Sequence, residues 1–440
     1  MARKLFGTDG VRGVAGEFVT ADLALALARA ATERLGVDAP RALIVRDTRE
    51  SGEMLEAAVA AGVAAAGGEA LLGGVVPTPA APLLIERYGF DLGVVLSASH
   101  NPYRDNGIKF FGGDGFKLSD ETEHEIEDAL DAGPPGSGHV GRVRRLDGAH
   151  EDYLRALHER FGELDLTGRR IALDCANGAT YRAAPEMFRR LGADVDVVAA
   201  HPDGRNINAG CGSTHVEVLS AHVRDGGHDA GFAFDGDGDR VLAVDRHGTV
   251  VDGDELIALA ALHLRAQGRL PGGGVAVTVM TNYGFHTAMH HAGVKVATTA
   301  VGDRYVLQAL REREWALGGE QSGHIIDMGF VPSGDGIAAA LLTMEALGSG
   351  DLAGRGAMEK LPQRLVNVRL ADRAALAAAV DAVDGLVAEA SEALAGRGRV
   401  LVRSSGTEPL VRVMAEAPTA EEADEVCARL AAAVEAHGGV

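Results

Sequence analysis

Three carboxylates stand on alternating positions of one short stretch, Asp235-Gly236-Asp237-Gly238-Asp239-Arg240. The two glycines let the backbone curl and draw like charges together. A cation would offset that repulsion, and an oxygen-only donor set favours Mg²⁺ or Ca²⁺ over Zn²⁺. An EF-hand loop would need Gly where Arg240 stands and Glu where Arg246 stands. The competing reading is a solvated acidic turn. Other loops carry complementary groups. Ser97-Ala98-Ser99-His100-Asn101-Pro102 presents hydroxyls at a strand end, and Phe6 to Gly13 offers Arg12 to an anion. Gly318 to His324 concentrates groups that bond hydroxyls, and Arg304 follows Gly302-Asp303 at a helix start. Arg403-Ser404-Ser405-Gly406-Thr407-Glu408-Pro409, with Arg412 beyond, could cradle a phosphate. Converging on one cleft, these loops would supply a nucleophilic hydroxyl, a divalent cation, a hydroxyl reader and an anion clamp. That set fits phosphoryl transfer on or off a polyhydroxylated phosphate ester, where catalysis is mostly positioning and charge stabilisation.

The elements that must position these loops alternate between strand and helix, the α/β signature. Apolar runs from Gly231 to Phe234 and from Val241 to Val244 predict strand, tight loop, strand around the acidic stretch. Ala42 to Val45 and Leu92 to Leu96 predict buried strands, the second opening into the Ser99 loop. In open α/β sheets ligands gather beyond the carboxyl ends of strands. Thr20, Ser51, Ser119 and Thr419 are expected helix caps. After Pro362 short β runs alternate with Ala-rich helices, which predicts a separate C-terminal domain and a hinge near that proline.

A chain of 440 residues with a formal charge of −21 is too long for one core and too acidic for nucleic acid. The three cysteines, Cys175, Cys211 and Cys427, form no CxxC pair. That suggests reduced thiols and a cytoplasmic protein. No signal-peptide h-region and no membrane-spanning apolar run is evident.

Taken together, Phe6 to Gly13, Ser97 to Pro102, Asp235 to Arg240, Gly319 to His324 and Arg403 to Pro409 resemble the α-D-phosphohexomutases, over Lys4 to about Ala415. Pro202 to Asn208 and Cys211 to His215 are similar to the phosphoglucosamine branch rather than the phosphomannomutase/phosphoglucomutase branch. Val45 and Ser404 depart from residues common in relatives, beside rather than at the proposed contacts.

The resemblance implies an α/β fold: three related α/β/α domains and a smaller C-terminal α+β domain around a central cleft, bounded at 1–150, 151–253, 254–362 and 363–440. It implies that Ser99 carries a phosphoryl group and that Mg²⁺ is held by Asp235, Asp237, Asp239 and a phosphate oxygen on Ser99. Arg12, His100, Lys109 and Arg240 would line the reacting centre, with Lys109 transferring protons at a pKa lowered by Arg12, Arg240 and the metal. Glu320 and Ser322, with His324 and Arg304 nearby, would bind the sugar; Arg403, Ser405, Gly406, Thr407 and Arg412 would hold the phosphate that is not reacting. The implied reaction interconverts glucosamine 6-phosphate and glucosamine 1-phosphate through a 1,6-bisphosphate, which with other hexose bisphosphates is the expected activator. The partner is a small sugar phosphate, with a phosphoryl donor of unknown identity for the first charging of Ser99 and a homodimer as the assembly to test. Rival readings are a phosphomannomutase/phosphoglucomutase, a Mg²⁺-dependent sugar phosphatase, and a non-catalytic sugar-phosphate binder.

Overall fold

The computed structural model describes residues 5–7, 9–132, 139–370, 375–404 and 409–437. The chain divides into two compact units, Met1–Val279 with Ala297–Arg355, and Met280–Val296 with Gly356–Val440.

In the first sheet of the larger unit the spatial order is Val11–Val14, Asp105–Gly112, Leu92–Leu96, Arg41–Arg46, Glu69–Val75 and Arg142–Arg145. Its centre is aliphatic and fully buried, as a strand covered on both faces must be. Arg41–Arg46 runs parallel to Leu92–Leu96, with Arg46 opposite Leu96. Parallel neighbours end together, so the loops after Arg46 and Leu96 leave the sheet side by side. The Asp47 N–H donates to the Leu96 carbonyl at 3.1 Å. Helices Ala21–Arg34 and Gly52–Ala65 cover one face, the first capped by Thr20 as expected. A Cβ at Gly62 would lie 2.3 Å from the Leu25 carbonyl oxygen, so only glycine permits their close spacing. Ser51 does not cap the second helix. Its hydroxyl accepts from Asn106 Nδ2 at 2.9 Å instead, a tertiary bond that replaces the local one.

The second sheet orders Val250–Val251, Val241–Asp245, Ala230–Phe234, Arg170–Asp174 and Asp194–Val198. Phe234 and Val241 face each other across an antiparallel pair, so residues 235–240 close a hairpin between them. A third sheet orders Lys295–Thr299, Gly274–Thr278, Leu317–Gly319 and Ile325–Asp327. In the smaller unit, Gln363–Arg369, Leu410–Glu416 and Arg399–Ser404 form an antiparallel sheet. Helix Ala420–Ala436, capped by Thr419, packs on it through Leu430 and Val434. Among the described residues no helix is long and apolar enough to cross a membrane.

The acidic hairpin is tied down through helix Gly336–Leu347, whose Gly336 N–H donates to the Gly238 carbonyl at 2.9 Å. Asp335 caps that helix and accepts from Tyr153 Oη at 3.0 Å. Burial pushes the Asp335 carboxyl up to about 7, against the bonds from Ala338 N–H and Tyr153. The folded state therefore holds a proton that the unfolded chain sheds near pH 4. Stability contributed at this site declines as pH rises from about 4 to 7. Asp335→Asn keeps both acceptor contacts without ionising. Its Tm should be flatter than the parent's across about pH 4 to 7, as differential scanning fluorimetry would read; parallel pH profiles would contradict this account.

Candidate active site

Ser99 is buried and takes a φ of 50°. A serine in the left-handed region costs on the order of 1 kcal/mol, so neighbouring groups must hold it there. Arg49 Nη2 donates to the Ser99 and Asn101 carbonyls, each at 2.9 Å, while Nη1 serves those of Pro102 and Asp105. Asn208 Nδ2 donates to the same Ser99 and Asn101 carbonyls at 2.9 and 3.1 Å. Arg49 is fully buried and pairs with buried Asp47 at 2.9 Å. Asp47 also accepts from Ser97 Oγ at 2.6 Å, and that oxygen accepts the Ser99 N–H at 2.9 Å. Burial raises Asp47 above the usual carboxylate range, with Arg49 and Ser97 pulling the other way.

Ser99 Oγ donates to Asp235 Oδ2 at 2.5 Å. Asp235, Asp237 and Asp239 are buried, and each brings one oxygen to within 4.8 Å of the others. A solvated turn is thereby ruled out. A Cβ at Gly236 would stand 2.5 Å from the Ser99 carbonyl oxygen, so glycine is what allows the two loops to meet. Asp237 Oδ2 accepts from Thr78 Oγ1 at 2.7 Å and Lys109 Nζ at 2.8 Å; Asp235 Oδ1 accepts the Arg240 N–H at 3.2 Å. Asp237 Oδ1 and Asp239 Oδ1 are buried with no hydrogen-bond partner among the described residues. Burial, Asp239 and Asp237 push Asp235 far above its ordinary value. Orphaned carboxylate oxygens in an all-oxygen set fit a hard divalent cation, which would meet the charge they leave uncompensated.

Lys109 is buried between Asp237, Asp9 at 3.1 Å and Asp239 at 3.9 Å. Burial would lower its pKa, and Arg12 acts in the same sense. The Asp237 and Asp9 carboxylates outweigh both and hold it above its ordinary value. That direction is opposite to the lowering expected from Arg12 and Arg240, and the carboxylates favour the ammonium form of Lys109. Asp9 also bonds Arg12 and accepts from Lys117 at 2.5 Å, while Lys117 reaches Asp303 at 2.5 Å. Burial would raise Asp9, yet Lys109, Lys117 and Arg12 hold it well below the usual range.

His100 Nδ1 lies 3.3 Å from Ser99 Oγ, and burial, Arg240 and Arg12 lower its pKa. Burial opposes the charge on Arg240, but Asp239, Asp235 and Glu320 raise its pKa overall. Arg240 forms a β-bridge with His324. His324 Nε2 lies 3.8 Å from Asp239 and 3.9 Å from Asp303. Glu320 is buried and accepts the Gly302 N–H at 3.0 Å, whereas Ser322 is exposed. Arg304 pairs with Asp120 and, at 3.1 Å, with Glu123 on helix Asp120–Ala132. In the smaller unit, Arg403 and Arg412 sit opposite each other on neighbouring strands. Like charges so placed repel; burial and Arg412 lower the Arg403 pKa, and among the described residues the buried Arg412 Nε has no hydrogen-bond partner. Ser405, Gly406 and Thr407 lie outside the described residues.

Six residues of the site carried no assignment from sequence: Asp9, Arg49, Thr78, Lys117, Asn208 and Asp303. Asn208 does close the Pro202 to Asn208 stretch noted there. A buried arginine after a strand end is the signal that could have found Arg49.

Profiles of the phosphoglucomutase/phosphomannomutase family match almost the whole chain: alpha/beta/alpha domain I over residues 3–135, domain II over 151–248, domain III over 252–364 and the C-terminal domain over 365–433. A phosphoglucosamine mutase of Moorella thermoacetica is 49% identical over 439 residues, covering 97% of this chain and 98% of the relative. One of Bacillus subtilis is 46% identical over 449 residues, with 99% of each covered. Among solved structures, a phosphoglucomutase/phosphomannomutase family protein from Burkholderia thailandensis superposes with a TM-score of 0.82 at 24% identity, over 98% of this chain and 97% of the other. An N-acetylphosphoglucosamine mutase from Aspergillus fumigatus, solved with GlcNAc-6P and magnesium, does so at 0.69 and 20% identity, over 99% and 96%.

Proposed function

Because the chain belongs to the phosphoglucomutase/phosphomannomutase family, we propose that it is a phosphoglucosamine mutase, interconverting glucosamine 6-phosphate and glucosamine 1-phosphate. The observation that carries this is the Ser99 hydroxyl, 2.5 Å from Asp235 within a buried acid trio that has orphaned oxygens. Identity near 50% to phosphoglucosamine mutases supports the choice of sugar. The reaction supplies amino-sugar nucleotide and cell-wall precursors in the cytoplasm.

Ser99 Oγ carries the phosphoryl group. Its O–P bond breaks as the C1 hydroxyl oxygen of glucosamine 6-phosphate forms a new one, and the C1 hydroxyl proton ends on the freed Ser99 Oγ, to be given back to O6 in the return step. The 1,6-bisphosphate turns around, the phosphoryl on O6 returns to Ser99 Oγ, and O6 regains a proton. The net change moves one phosphoryl from O6 to O1 and leaves the enzyme charged. Asp235, Asp237 and Asp239 would hold Mg²⁺ together with a Ser99 phosphate oxygen. When bound, that cation lowers the repulsion met by the incoming oxygen. Lys109 and Arg12 face the same centre as charge stabilisers, and Glu320 and Ser322 read sugar hydroxyls. Arg403 and Arg412, opposed as like charges, would clamp the distal phosphate.

The test combines turnover with intact mass. The purified protein, incubated with glucosamine 1,6-bisphosphate, should gain one phosphoryl group on Ser99. It should then turn over glucosamine 6-phosphate well ahead of glucose or mannose 6-phosphate, without stoichiometric phosphate release. Faster turnover of the other hexoses would favour a phosphoglucomutase/phosphomannomutase. Phosphate released at every cycle would make it a phosphatase.

A further inference from the structure

Far from Ser99 in sequence, the second sheet carries a different set of ligand-bearing side chains. Asp196 projects from the edge strand Asp194–Val198, His222 from helix Val216–Gly226, and His228 from the residues leading into Ala230–Phe234. One ligand atom from each lies within 4.8 Å of the other two. His222 Nε2 is 2.8 Å and His228 Nε2 3.4 Å from Asp196 Oδ2. The two imidazoles stack with ring centroids 5.1 Å apart. We propose that His222, His228 and Asp196 form a peripheral site for a borderline divalent cation of the Zn²⁺ class, separate from the acid trio.

Three independent features point to a ligand there. The His228 side chain is only 3% exposed, yet neither ring nitrogen has a hydrogen-bond partner among the described residues. A buried imidazole left so is costly unless something else takes up its lone pair. Its place is also shaped by the backbone. Helix Val216–Gly226 ends in left-handed Gly227, and the His228 N–H returns to the Val223 carbonyl at 3.1 Å, which folds the ring back beneath His222. A Cβ at Gly226 would come within 2.4 Å of the His228 ring, so glycine there leaves the imidazole its room. Lastly, the carbonyl end of a helix favours positive charge.

Ligand chemistry selects the ion. Two imidazoles and a carboxylate suit Zn²⁺, Co²⁺ or Ni²⁺ rather than Mg²⁺. Ligands at about 2.1 Å from a tetrahedral ion stand roughly 3.4 Å apart, close to the spacing seen for His228 and Asp196, whereas the His222–Asp196 hydrogen bond at 2.8 Å would have to open for the ion to enter. Three protein ligands leave one position open to water. Half-exposed His222 and exposed Asp196 give the ion a path from solvent.

Co²⁺ titration of metal-stripped protein held in excess Mg²⁺ tests this, since Mg²⁺ keeps the oxygen-only trio occupied. Visible absorption should show about one equivalent of Co²⁺ in a nitrogen-ligated, low-coordinate environment, displaced by Zn²⁺. Zn²⁺ should raise Tm by about 2 °C or more. The band and the shift should vanish in His222→Ala and in Asp196→Asn, both near the surface and able to fold, with mutase turnover unchanged. No band in the parent, or one that survives in both variants, overturns the proposal.

Discussion

Ser99→Ala is expected to lower turnover by at least about 10⁴-fold and to abolish phosphoryl uptake from the bisphosphate. The neighbouring Ser97 hydroxyl cannot substitute. Ser97 Oγ is committed to Asp47 on one side and to the Ser99 N–H on the other. Alanine removes the donor to Asp235, whose carboxyl is already pushed up by burial and by Asp239 and Asp237. The variant should still fold, because the loop is held through main-chain carbonyls rather than through this side chain. Steady-state rates and intact mass together decide the matter. A residual rate within about tenfold of the parent would mean that another group carries the phosphoryl.

Arg49→Met should be nearly as severe by a different route. Breaking a buried pair leaves Asp47 without its counter-ion, a loss of about 3–5 kcal/mol, and four carbonyls of the Ser99 loop lose a donor. Arg49→Lys separates fold from function. It restores a positive charge beside Asp47 but not the planar fork that serves several acceptors at once. Tm should largely recover, while phosphorylation of Ser99 by the bisphosphate stays slower by roughly 10²-fold. Full recovery of that rate with lysine would show that Arg49 matters only for stability. Asp47→Asn combined with Arg49→Met measures how much of the effect belongs to the pair.

The hairpin that carries the acid loop was legible in sequence because alternating Asp and Gly between two apolar runs leaves few foldings. Ser99 was legible for a similar reason: a strand ending in small residues before Asn-Pro puts its hydroxyls at a sheet edge. The roles of Arg49 and Asn208 were not, since they act on backbone carbonyls 50 and 109 residues away. A backbone carbonyl leaves no mark in the sequence. For Lys109 the reading weighed only cationic neighbours; Asp237 and Asp9, the latter just before the strand paired with its own, act the other way. The pairing of Arg304 with Asp120 and Glu123 was not legible, because they belong to a helix whose position only the tertiary fold sets.

The Ser99 carbonyl is gripped from two domains at once, by Arg49 and by Asn208. An arm bolted at its shoulder cannot follow its cargo, so reorientation falls wholly on the sugar. Analogues whose two phosphates are set too far apart to tumble in place should therefore exchange a single phosphoryl and stall, acting as dead-end traps.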